Sequence, residues 1–238
     1  MINEKSLLRF PPKNLNPKQV VVFNAITFSV DICQIAFKEL IKELLQFSDS
    51  PKSSGNTFPK IFSNVWVIIN NVTIFRNLIC SHFDILDSDS GLEEFNKAKK
   101  IRNTNQHIDE RISEILTLRD LPIYGSLSWY RNIKNTNKIQ QFFLYSGTFT
   151  HQRNVGGEII IPRNENTYRE IDELIFTCVS KQNNNSYPEI TISLYRIMED
   201  LKIWIEHFDD QIDEQLKDFD TSDRHNSNLY FQINGHWE

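Results

Sequence analysis

From position 17 onward, Val21, Ala25, Phe28, Ile32, Ile35, Leu40 and Leu44 recur at steps near three and four. That spacing keeps side chains on one side of an α-helix. Asn16 followed by Pro17 places a capping side chain and a first-turn proline where helices begin, so a long amphipathic helix is expected over 17–47. The Ser/Pro/Gly stretch SDSPKSSGNTF (48–58) reads as a loop. Pro59 opens a second helix, through Val65, Ile69, Val72, Phe75, Leu78 and Ile79, to about 83. After the break DILDSDSG (84–91), a third helix is expected over 92–118. Its apolar stripe is Ile101, Ile108, Ile112 and Ile115, with Asn105 as a polar interruption.

The period then changes. LPIYGSLSWYRN, KIQQFFLYSGTFT, VGGEIIIPRN and ELIFTCVSKQN are short, aromatic or β-branched, and separated by Asn, Gly and Lys turns. They read as three or four antiparallel strands within 122–181. Ile190, Leu194, Ile197, Leu201, Trp204, Ile205, Phe208 and Ile212 restore the helical period over 188–219. The pattern predicts a mainly α, α+β fold: an up-and-down bundle of about four long helices with a small antiparallel sheet inserted before the last one. In domain terms this is one helical domain over 1–238, an inserted β subdomain at 122–181 and a polar C-terminal tail at 221–238.

A chain of 238 residues buries a sizeable core without a disulfide or metal staple. Cys33, Cys80 and Cys178 are dispersed in apolar runs, as small buried hydrophobes in a reducing compartment would be. The N-terminal residues lack a signal-peptide pattern, and polar residues interrupt both of the most apolar stretches, 20–37 and 61–80. The expectation is a cytoplasmic protein without a membrane partner. The net charge of −5 argues against a generally basic coat for nucleic acid. However, residues 199–223 hold ten acidic groups against two lysines, a charge of −8, so the other 213 residues carry +3. The acidity belongs to the last helix and its exit.

Glycine-rich phosphate loops, nucleophile elbows and Cys/His zinc spacings are missing from the sequence, and no metal or other cofactor is expected. His207 with Asp209 and Asp210 reads as a solvated helix face, and Asp84, Asp87 and Asp89 lack the rest of an EF-hand. The segment KKIRNTNQHIDERI (99–112) offers more. Arg102 is followed by Asn103 and, five residues on, by His107. This R-N-x-x-x-H arrangement in the third helix of an expected bundle resembles the R-x(4–6)-H motif of the HEPN superfamily, in which a polar residue commonly follows the arginine. The resemblance covers 17–119 and 188–219, and the strand block departs from the minimal family fold.

On one continuous helix a five-residue step turns about 500°, leaving Arg102 and His107 ~140° apart. Asn103, His107 and Glu110 share helical spacings of three and four, with Lys99 and Gln106 bordering that polar side as candidate substrate contacts. A site needing Arg and His together therefore calls for a second helix, most simply from a second copy. The resemblance implies the same: a homodimeric, metal-independent endoribonuclease of the toxin or phage-defence kind. It would be held in check by an antitoxin, often nucleotidyltransferase-like.

In that reading His107 acts as general acid or base, Arg102 binds the scissile phosphate and Asn103 orients either group. The strand block adds Arg131, Lys134, Lys138, Arg153, Arg163 and Arg169 interleaved with aromatics, which suits single-stranded RNA or simply a sheet with a buried aromatic face. The competing expectations are a non-catalytic HEPN-like module that binds RNA, a nucleotide or a protein, and a helical interaction protein whose motif match is accidental.

Overall fold

A computed structural model describes residues 1–51, 55–107, 109, 112, 122–134, 138–147, 169–180, 188–218, 220–224, 230 and 232. Helix α1 spans Pro17–Asp49 and starts as the sequence implies. The Asn16 side chain accepts from the Gln19 backbone N–H at 2.9 Å, and the Gln19 side chain accepts from the Asn16 backbone N–H at 3.1 Å. This reciprocal box satisfies two otherwise orphaned donors beside a first-turn proline. α2 spans Thr57–His82 and lies along α1. Val65, Ile68, Ile69, Val72, Phe75 and Ile79 are fully buried on its inner face.

The inner face of α1 differs from its sequence stripe. Val22, Phe23, Ile26, Val30, Cys33, Leu40 and Leu44 face the core, whereas Val21, Phe28, Ile32 and Ile35 are exposed. The stripe changes sides at the five-residue step from Ile35 to Leu40, a turn of about 500° that leaves the two sets ~140° apart. Both faces of the first half of α1 are apolar, so periodicity alone does not say which is inside.

α3 is shorter than expected, spanning Glu93–Asn105. The backbone N–H of Gln106 bonds back to the carbonyls of Arg102 and Thr104, and that of His107 to Thr104 at 3.3 Å, tightening the chain into a turn. Asp109 and Ile112 are again helical, and the expected stripe residues Ile108 and Ile115 lie outside the described residues.

Four antiparallel strands follow: β1 (Ser126–Asn132), β2 (Ile139–Tyr145), β3 (Ile171–Val179) and β4 (Glu189–Ser193), in the order β2-β1-β3-β4. The expected strand at 155–164 lies outside the described residues. The last helix, α4, spans Leu194–Gln215, so the residues read as its first turn are instead the edge strand β4. Thr191 and Ile192 continue a β-branched run from Ile190 that pairs with β3, and Ser193 both ends the strand and caps α4 by accepting from Arg196 N–H.

The sheet is packed into the same core as the helices. Trp129 is fully buried, stacks on Phe142 at 5.1 Å, meets Phe47 of α1 edge-on, and donates its indole N–H to Ser48 Oγ at 3.0 Å. Trp66 of α2 meets Phe176 of β3 edge-on. Gly125 opens β1 at φ +88°, where a Cβ would fall 2.5 Å from the Phe176 ring and 2.9 Å from the Thr177 carbonyl. Only glycine fits there. On the far side, Phe208 of α4 packs against Phe75 and Phe83. The first residues of the stretch read as a tail lie against the N-terminal segment: Arg224 donates to the Lys5 carbonyl and Lys13 pairs with Asp223.

Candidate functional site

α3 is anchored by its ends and by one buried face. Glu93 and Glu94 occupy the first turn, where carboxylates complement the helix dipole, and Arg102 sits in the last turn. Phe95, Ala98 and Ile101 are fully buried, at steps of three. Glu94 is also buried; it accepts from Lys97 and from the Ser193 backbone N–H, tying α3 to the start of α4.

Arg76 of α2 is the second anchor. It is 3 % exposed, donates through Nε to Asn96 at 2.9 Å, and forms an ion pair with Asp87. Asn96 in turn donates to the Asp87 carbonyl at 2.8 Å. A buried guanidinium thus fixes the angle between α2, the loop before α3, and α3 itself. In the sequence Arg76 is only a polar break in an apolar run, because the partners that give it meaning lie eleven and twenty residues away.

This frame carries the motif residues to the C-terminal end of α3. Lys99, Asn103 and Gln106 follow one another at helical spacings on the outer side, Lys99 half-buried and the other two exposed. Arg102 is half-buried beside them, and its Nε, like that of Arg9, is buried without a hydrogen-bond partner among the described residues. A guanidinium nitrogen in that condition is costly unless something else satisfies it. His107 is exposed on the turn beyond the helix, so it does not share one continuous helix with Arg102. The ~140° figure belongs to one continuous helix, and here a turn at Gln106 and His107 intervenes. Glu110 lies outside the described residues.

The strand block tells a different story. Arg131 pairs with Asp49 at 3.1 Å and approaches Glu170 at 3.8 Å, while Lys134 pairs with Glu170 at 2.7 Å. The Lys134 ammonium holds the Glu170 carboxyl below the usual range. Arg169 pairs with Glu199 at 2.6 Å and lies 4.2 Å over the Tyr195 ring. Arg153 and Arg163 lie outside the described residues. Trp129 and Phe142 face the core, whereas Tyr124, Phe143 and Tyr145 are exposed.

Elsewhere, a cleft of about 450 Å³ between the N-terminal segment and the end of α4 is lined by Lys5, Ser6, Asp209, Asp213 and Arg224, and takes in none of the motif residues. Among the described residues no group of three or more His, Cys, Asp or Glu side chains is arranged to hold a metal ion. Cys33 and Cys178 are buried and free, their thiols pushed up to about 12 by burial. Comparison with protein-family models, curated proteins and solved structures finds no match for this chain.

Proposed function

We propose that this chain is a metal-independent endoribonuclease of the HEPN toxin or phage-defence type, working in the cytoplasm. Its helices would form the up-and-down bundle of that superfamily, and Arg102, Asn103 and His107 would join those of a second copy in a composite cleft. The observation that supports the reading is the placement of Arg102, half-buried in the last turn of α3, one turn before an exposed His107 on the same polar end. A phosphate oxygen reaching the half-buried guanidinium would receive a charge-assisted hydrogen bond from it.

The chemistry follows from the groups. His107 takes the proton from a ribose 2′-hydroxyl, whose oxygen then attacks the adjacent phosphorus. The bond to the 5′-oxygen breaks, and that oxygen receives a proton from a general acid, most simply the partner's His107. Arg102 stabilises the charge added to the phosphate as the attack proceeds. Lys99 and Gln106 line the approach. A nucleotidyltransferase-like antitoxin is the partner expected to hold such an activity in check.

The test is incubation of purified protein with labelled RNA and with DNA of the same sequence, in EDTA. The expected result is RNA cut to fragments ending in a 2′,3′-cyclic phosphate, with DNA intact. Retention of RNA without cleavage selects a non-catalytic binding module instead. Neither cleavage nor binding leaves the motif as an accident of an interaction protein.

A further inference from the structure

The exposed face of α1 is a seam. Val21, Ala25, Phe28, Ile32 and Ile35 alternate steps of four and three, and Lys18 and Glu39 continue the same spacing at the two ends. Val21 is 65 % exposed, Phe28 52 %, Ile32 37 % and Ile35 63 %. A strict seven-residue repeat of apolar positions is the pattern that lets two helices pack along a common line. The opposite face of α1 already lies in the core, so the helix is apolar on both sides, as helices buried on both sides are. The four large side chains present on the order of 400 Å² together, within the range of a monomer's largest apolar patch, which is often functional.

We infer that this face is covered by the same face of a second copy, with the two α1 helices antiparallel about a two-fold axis near Phe28. In that register Phe28 meets Phe28 of the other copy, the small Ala25 lies opposite Ile32, and Val21 lies opposite Ile35. Lys18 falls opposite Glu39 at each end. A parallel pairing would instead set Lys18 against Lys18 and Glu39 against Glu39, so charge selects the antiparallel arrangement.

The apolar area of the seam is about half of the roughly 800 Å² that each partner buries in a standard interface. A lipid surface is the weaker occupant. By composition α1 is long and apolar enough to cross a membrane, with a mean hydropathy of 1.8 in its most apolar window, yet 44 % of that window is buried inside the fold. The charges beside the seam, Lys18, Lys38, Lys42 and the Arg9 that pairs with Asp31 against Asp31, Glu39 and Glu43, sum to only +1, a weak pull toward anionic lipid. This dimer is inferred from α1 alone and does not rest on the ribonuclease reading.

Sedimentation equilibrium of the full chain at tens of micromolar should give twice the 28.1 kDa chain mass. Phe28→Glu and Ile35→Lys, both at exposed positions, should each weaken association by about a hundredfold or more while the helical circular dichroism stays unchanged. Lys18→Glu should weaken the dimer, and adding Glu39→Lys should restore it, which tests the register without touching the apolar seam. A monomeric wild type overturns the inference. So does a dimer that persists through Phe28→Glu and Ile35→Lys, or binding of the wild type to phosphatidylcholine/phosphatidylserine vesicles through this face in place of self-association.

Discussion

Arg102 at the end of α3 and Arg131 in β1 are both partly buried guanidinium groups on elements rich in polar neighbours, and they differ in what holds them. Arg131 reaches Asp49 and Glu170, and its neighbours Lys134 and Arg169 have carboxylates of their own. Arg102 keeps a buried Nε with no acceptor among the described residues. The first set joins the sheet to α1 and α4. The second stands at the C-terminal end of α3, with a buried Nε that no acceptor meets among the described residues. Positive charge near aromatics is therefore a poor guide to a nucleic-acid surface until the acidic partners of each cation are known.

That contrast ties the described cations of the sheet, Arg131, Lys134 and Arg169, to the fold, and substitutions should separate them from the α3 end. Trp129→Ala removes a fully buried indole, its stacking on Phe142 and its bond to Ser48, and should cost about 3–5 kcal/mol in denaturant unfolding. Arg76→Met leaves Asn96 without its donor and loosens α3 from α2. A loss of about 1–3 kcal/mol is expected, with RNA cleavage falling further than stability because the motif helix shifts. Gly125→Ala forces a Cβ into Phe176 and the Thr177 carbonyl at a positive φ, for a further loss of about 1–3 kcal/mol in the same assay. Arg131→Ala should cost only about 1 kcal/mol or less and leave any RNA cleavage unchanged.

The smallest effect is electrostatic. Burial holds Asp200 and Asp209 above the ordinary carboxylate range, the Ser6 hydrogen bond partly offsetting it for Asp209. A raised carboxyl binds its proton more tightly in the folded chain than in the unfolded one. Its contribution is therefore most favourable below the unfolded pKa and is lost as pH rises through the folded one. Asp200→Asn should flatten the decline in melting temperature as pH rises above about 4, the ordinary aspartate range, read by thermal denaturation.

Much of the fold was legible because local chemistry decides it. Asn16, Pro17 and Gln19 spell the start of α1, and aromatic and β-branched runs mark β1 to β3. The helical period runs on into β4 because Ile190 fits both periods, and pairing with β3, a tertiary event, settles it as strand. The early end of α3 comes from a turn at Gln106 that no Gly or Pro announces. On α1 the five-residue step at Ile35 hid a change of face. Arg102 and His107 stood out by spacing, but the unpartnered Nε depends on what packs around it, and the anchoring role of Arg76 depends on residues far along the chain.

The most direct test sets the two arginines side by side. End-labelled RNA is incubated in EDTA with the wild type, Arg102→Ala, His107→Ala and Arg131→Ala, each shown to be folded by circular dichroism. The account predicts cyclic-phosphate fragments from the wild type and Arg131→Ala, and a loss on the order of a hundred- to a thousandfold in Arg102→Ala and His107→Ala. Cleavage that survives Arg102→Ala, or that is lost equally in Arg131→Ala, would contradict it.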